Sequence, residues 1–158
     1  MQDTRVDRAN IALEAADSRD VPAMLELLAE LFAQERDFRA DPDKQLHGLR
    51  LILAHPERGR LFVARHSGRV VAMANALFTI STAEGGPVVL LEDVIVSSQY
   101  RGTGIGSRLI NHILQWAEEE GFLRVSLVTD ADNHGAQRFY QRLGFTPSEM
   151  KLLRRKLE

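Results

Sequence analysis

A β-branched run, Val94-Ile95-Val96, gives way within a few residues to an amphipathic stretch, and the join "RGTGIG" carries glycine at alternate positions 102, 104 and 106. Glycine weakens a helix start, so it belongs there only for a turn or for close approach of the backbone to a bulky ligand. The first N–H groups of a helix have no internal partner, and the helix dipole favours an anion at that end. Arg101 and Arg108 bracket the glycines, where a self-contained helix prefers Asp or Glu. The missing negative charge is expected to arrive with a ligand, so the segment reads as a phosphate site. The spacing is not the dinucleotide pattern G-x-G-x-x-G, and no Walker lysine follows. The plainer alternative is a tight strand–helix turn.

Beyond the helix, "RVSLVT" reads as another strand, and strand, glycine loop, helix and strand form a right-handed parallel crossover. Upstream, "RLFVARH" and "VVAMANALFTIS" read as strands joined by the hairpin signal "SGR", and "EGG" turns into a third run, "PVVLLEDVIVSS". "IALEAAD" predicts a first strand. Ser18 or Asp20 can cap a helix through "VPAMLELLAELFAQE", and "QLHGLRLILAH" predicts a shorter second helix. The helix after the glycines runs to about Glu120, with Gly121 as its C-cap. "GAQRFYQRLGF" is a short helix ended by Gly144, and "EMKLLRRKLE" is expected as a last strand, with a helix as the alternative. The order is β-α-α-β-β-β-α-β-α-β. That is an α/β fold with a mixed central sheet and helices on both faces, in one domain over 1–158.

The 158 residues are 44% hydrophobic and carry a net charge of −2, which offers no bulk attraction to nucleic acid or an anionic membrane. There is no cysteine, so disulfides, thiolate metal sites and cysteine nucleophiles are excluded together. The charged N-terminus has no apolar signal core, and no apolar run is long enough to span a bilayer. A soluble cytoplasmic protein is expected. "DADNHG" imitates a calcium loop but has His134 at a ligand position and Gln141 where the bidentate Glu belongs. The five histidines form no metal-binding pair, so no metal is expected.

Two stretches carry candidate chemistry. In "LEDV", Glu92 and Asp93 interrupt a Val/Leu run on a strand expected to be central. Such a carboxylate is costly unless it is paired or serves a wet cleft. Successive strand residues point to opposite faces, so the two are not expected to share one pocket wall, and Glu92 is the stronger functional candidate. In "RFYQRLGF", Tyr140 has the spacing of a core aromatic, with a hydroxyl that needs a partner if buried.

Taken together, these residues resemble the GCN5-related N-acetyltransferase (GNAT) superfamily. Its signature of Arg or Gln, two residues, Gly, one residue, and Gly or Ala is met by Arg101-Gly102-Thr103-Gly104-Ile105-Gly106. Its later Asn and F-Y-x-x-x-G-F are met by Asn133 and by Phe139 to Phe145. "LEDVIVSSQYRGTGIGS" is further similar to the spermidine/spermine-type branch. The resemblance implies acetyl-coenzyme A as donor, with the N–H groups of Gly102, Thr103, Gly104, Ile105, Gly106 and Ser107 on its pyrophosphate. It implies a fourth strand splayed from the fifth, with Val94, Ile95 and Val96 pairing with the pantetheine arm. It also implies Asn133 beside the cofactor and Tyr140 near the thioester sulfur. Glu92 is then the general base, directly or through water, Val94 N–H an oxyanion donor, and Tyr140 the acid for the leaving thiolate. The acceptor is a primary amine: a polyamine, a diamine or an amino acid. It is shaped by the first two helices and by "FAQERDFRADPDK" and "TISTAEGG". The other partner is a second copy of the chain, in a homodimer. Two alternatives stay open, a protein or peptide amino group as acceptor and a non-catalytic acyl-coenzyme A binding module.

Overall fold

The computed structural model describes residues 7–35, 37 and 39–158. The start of the charged N-terminus, and Arg36 and Phe38 in the loop expected to shape the acceptor side, lie outside the described residues. Residues up to Val128 form one compact unit and those from Thr129 a second.

The first unit is built on a sheet of strand order β1-β2-β3-β4-β5. Strands β2 (Gly59–His66) and β3 (Arg69–Ser81) are joined at Ser67-Gly68, with φ of 51° and 82°. Two consecutive positive φ values are what a type I′ hairpin turn requires, so "SGR" does what its composition predicts. β4 (Gly86–Val96) returns antiparallel beside β3, and β1 (Ile11–Ala15) lies antiparallel on the far side of β2. β5 (Val125–Leu127) pairs parallel to β4 after a helical crossover, so the sheet is mixed.

Strand alternation distributes the helices to both faces. Leu61, Val63, Met73 and Ile95 meet Met24, Leu27 and Leu28 of α1 (Val21–Gln34) and Leu49 of α2 (Pro42–Ala54). α2 starts earlier than expected because Asp41 caps it, accepting the Lys44 N–H at 3.3 Å. On the other face, α3 (Ile105–Glu119) buries Ile105, Leu109, Ile110, Ile113 and Ala117, and the Phe62 ring stands edge-on to Trp116 at 5.0 Å.

The second unit contains α4 (His134–Arg142), stopped by Gly144 at φ 95°. The last strand expected over "EMKLLRRKLE" does not form, nor does the alternative helix, and the element order ends at α4. The segment places Leu152 and Leu153 side by side instead of alternating apolar with polar, so it has no single apolar face to lay on a sheet. Met150 and Leu153 are 88% and 91% exposed.

Asp20 stands at the N-cap position of α1 as expected, but its side chain makes no capping bond to that helix. Its buried carboxylate accepts two bonds from the Arg65 guanidinium on β2, at 2.6 and 2.8 Å, and Glu14 of β1 accepts a third. The start of α1 is thereby tied to the sheet, and the Arg65 bonds hold the Asp20 carboxyl below its ordinary pKa. Asp20→Ala should cost about 3 kcal/mol in urea unfolding, the scale for breaking a largely buried ion pair. A lowered carboxylate pKa adds stability above about pH 4 that is lost as acid protonates the group. The wild type should therefore lose more stability than Asp20→Ala on acidification below that pH.

Candidate functional site

The site begins where β4 loses a neighbour. Pairing with β5 ends at Leu91↔Leu127, and among the described residues no strand borders that edge of β4 beyond it. Successive amides of a strand face opposite edges. Val89 donates to the Arg124 carbonyl at 2.9 Å on the β5 side, so the N–H of Leu91 also faces that side. Ser97 donates to the Val71 carbonyl on β3 at 2.8 Å, so the N–H of Ile95 faces β3. Odd-numbered amides thus switch edges between residues 91 and 95. The cause is a bulge: Met73 pairs with Ile95 but Asn75 pairs with Glu92, so β4 carries one extra residue. Asp93, within the bulge, has φ 52°. Beyond it, Val94 and Val96 present N–H and C=O to the open edge, while the Ile95 side chain enters the core under α1.

The bulge interrupts the strand alternation on which the separate placing of Glu92 and Asp93 rests. Glu92 is exposed opposite Asn75 in register, and the Asn75 side-chain amide donates to Asp93 Oδ2 at 3.4 Å. Asn75 is thus the register partner of Glu92 and the hydrogen-bond partner of Asp93. Burial raises the Asp93 pKa, and the Asn75 N–H opposes that rise.

β4 leads through a 3-10 turn, Ser98–Tyr100, into the glycine segment. The Tyr100 hydroxyl and His66 Nδ1 are 2.9 Å apart, and Thr103 Oγ1 donates to the Tyr100 carbonyl, so the loop entry is held from both sides. Gly102 and Gly104 have φ of 75° and 86°. These two glycines are demanded by the turn itself, and a Cβ on either would meet nothing within 4 Å. Gly106 differs, because it lies inside α3 without a positive φ. Gly104 caps α3 without a side-chain bond, and the first turn holds no acid, so the leading N–H groups, including those of Ile105, Gly106 and Ser107, remain available to an anion. Arg101 Nε donates to the Val96 carbonyl at 3.3 Å, and its guanidinium lies 3.7 Å from Glu30 on α1. Arg108 instead reaches the Arg8 carbonyl at 3.2 Å.

In the second unit, Asn133 Oδ1 accepts the Ala136 N–H at 3.1 Å and caps α4. Tyr140 is half-buried, with ring centroids 5.0 Å from Phe139 and 5.6 Å from Phe145. Burial pushes its hydroxyl up to about 12, so it keeps its proton throughout the neutral range.

Among the described residues, no group of three or more His, Asp or Glu could hold a metal, and no helix is long and apolar enough to cross a membrane. Sequence reading missed Asn75 and the role of His66, and considered Glu30 only as one of several acids that could suit a cationic acceptor. Asn75 had a signal, being the single polar residue in "VVAMANALF". The His66–Tyr100 and Glu30–Arg101 pairings had no signal, since the partners are remote in sequence.

The family model for the acetyltransferase (GNAT) family matches residues 21–145. Over 87 residues the chain is 37% identical to N-acetyltransferase family 8 member 2 of Rattus norvegicus, covering 55% of this chain and 38% of that protein. The chain thus spans less than half the length of that relative. Over 153 residues it is 29% identical to glucosamine 6-phosphate N-acetyltransferase of Trypanosoma brucei brucei, covering 92% of this chain and 96% of that protein. The crystal structure of a possible acetyltransferase from Clostridium difficile 630 matches with a TM-score of 0.85 at 20% identity, covering 94% of this chain and 98% of that one, which is a likeness of fold.

Gly106 separates ligand contact from turn geometry, because its backbone does not require glycine. Gly106→Val should leave thermal stability unchanged or slightly raised, since valine is about 0.5 kcal/mol better than glycine in a helix. Affinity for acetyl-coenzyme A should fall at least ~10-fold if a β-branched side chain crowds the pyrophosphate. Calorimetric titration of the folded variant checks both.

Proposed function

The chain belongs to the acetyltransferase (GNAT) family, and from that premise we propose that it moves an acetyl group from acetyl-coenzyme A to a small-molecule primary amine by direct attack in a ternary complex. The observation that supports this most is the open edge of β4, which runs from the bulge straight into the glycine turn and the N-terminus of α3. An amide-bearing arm ending in a pyrophosphate fits such a surface. Val94 and Val96 would pair with the arm as an added strand does, and the N–H groups from Gly102 to Ser107, with Arg101, would hold the phosphates. Asn133 would lie beside the cofactor. When bound, the donor supplies an activated thioester. No covalent intermediate on the protein is required, which suits a chain without cysteine.

Each residue has a chemical task. An alkylammonium has a pKa of about 10.4 and must lose a proton before it attacks. Glu92, exposed on β4, accepts that proton directly or through water. Val94 N–H donates to the carbonyl oxygen as it gains charge. Tyr140 gives its proton to the departing sulfur and retrieves one from solvent. The substrate named for the trypanosomal relative is itself an amine, which supports a small amine acceptor here, with polyamines, diamines and amino acids as the first to try. One catalytic domain over 1–158, a cytoplasmic location and a homodimer belong to the same reading.

Thiol release from acetyl-coenzyme A with a panel of such amines tests the reading, and silence across the panel would count against it. Tyr140→Phe then tests the acid. Turnover should drop by roughly 10²-fold, with little change in cofactor affinity. A core aromatic without a catalytic role would instead lose about 1 kcal/mol of stability and keep its turnover.

A further inference from the structure

Val94 N–H can serve the reaction only because β4 is bulged. Upstream of Asp93, even-numbered amides face β3, and without the extra residue Val94 would spend its N–H in that ladder. The bulge depends on Asp93 holding φ 52°, a left-handed conformation that Asp and Asn tolerate better than other side-chain-bearing residues. What faces Asp93 is Asn75, itself 3% exposed, whose Nδ2 donates to Asp93 Oδ2 at 3.4 Å. The other end of that amide, Oδ1, is buried with no hydrogen-bond partner among the described residues. A leucine at position 75 would avoid the unsatisfied oxygen and match the apolar residues around it. A buried amide kept half-satisfied beside a strained backbone marks a site where geometry outweighs stability.

We propose that the Asn75–Asp93 hydrogen bond latches the β4 bulge, so that Asn75 and Asp93 are positioning residues for the oxyanion-binding N–H of Val94. The proposal rests on the acetyl-transfer reading above and adds two residues to it. Asp93 is then not the proton acceptor, which remains Glu92. At 3.4 Å the bond is long, but both side chains are largely withdrawn from water, so losing either partner leaves the other without a replacement from solvent.

Three variants test the latch: Asn75→Leu, Asp93→Ala and Asp93→Asn. Loss of one oxyanion donor lowers turnover by about 10²–10³, so Asn75→Leu and Asp93→Ala should lose ~10-fold or more in kcat. Their affinity for acetyl-coenzyme A should fall as well, because Val94 and Val96 also pair with its arm, but by a smaller factor than kcat, because the oxyanion contact acts in the transition state. Combining the two should cost no more than the worse of them, as expected of residues in one interaction. Asp93→Asn keeps both the tolerance for positive φ and an oxygen for Asn75, so it should retain most activity. An inactive Asp93→Asn would make Asp93 the base and overturn the latch. Wild-type kcat in Asn75→Leu, or a loss confined to cofactor affinity with kcat unchanged, would overturn it as well. Amide hydrogen exchange gives a readout independent of turnover: Val94 should exchange quickly in the wild type and become protected in Asn75→Leu as it joins the β3 ladder. Unchanged exchange in that variant would also contradict the latch. A wild type that releases no thiol with any amine, yet shows this change at Val94, would fail the acetyl-transfer reading and leave the latch intact.

Discussion

A strand amide must find a partner, and β4 is where this protein leaves that requirement open. One extra residue at Asp93 reverses which amides face the β3 ladder and which face outward. Upstream, the outward amides of Val89 and Leu91 face the β5 side. Downstream, those of Val94 and Val96 face an edge that no described strand covers. Uncovered strand edges are normally hidden or blunted because they invite pairing. Here the edge is short, it ends in a glycine turn, and it leads into a helix N-terminus without a side-chain cap or an acid in its first turn. Backbone donors thus extend from the bulge into the first turn of α3, suited to a ligand that is peptide-like at one end and anionic at the other.

The same economy holds the surrounding residues in place. Arg101 reaches back to the Val96 carbonyl and across to Glu30, which relates the glycine turn to both β4 and α1. His66 meets Tyr100 just before the turn, so the hairpin strand β2 also bears on the loop entry. Arg65, one residue earlier on β2, takes Asp20 and fixes where α1 begins. The α1 side of the site therefore depends on ion pairs and hydrogen bonds placed on a rigid sheet, while the sheet owes its stability to the apolar layers on its two faces.

Much of this architecture is readable from sequence because the signals are local. "SGR" marks a turn whose φ values only a few residues accept, alternation marks β2 and β3, and a strand, glycine loop, helix and strand in succession leave little topological choice. The glycine loop is readable too, although two of its glycines serve the turn and Gly106 alone is left without a backbone reason. The bulge is not readable. "LEDV" contains no glycine to announce a positive φ, and period-two reasoning assumes the register that the bulge breaks. Its cause lies 18 residues away at Asn75, whose presence in an apolar strand is visible but whose partner is not. The C-terminal strand fails for the opposite reason: "EMKLLRRKLE" has apolar residues, but they do not alternate.

The central claim is that the bulge turns Val94 and Val96 toward the cofactor while Ile95 stays in the sheet. Residue-resolved amide exchange, measured with and without saturating acetyl-coenzyme A, tests it most directly. The account requires Val94 and Val96 to exchange quickly in the free protein and to become protected on binding, with Ile95 protected in both states. Protection gained at Ile95, or Val94 and Val96 already protected without ligand, would contradict it.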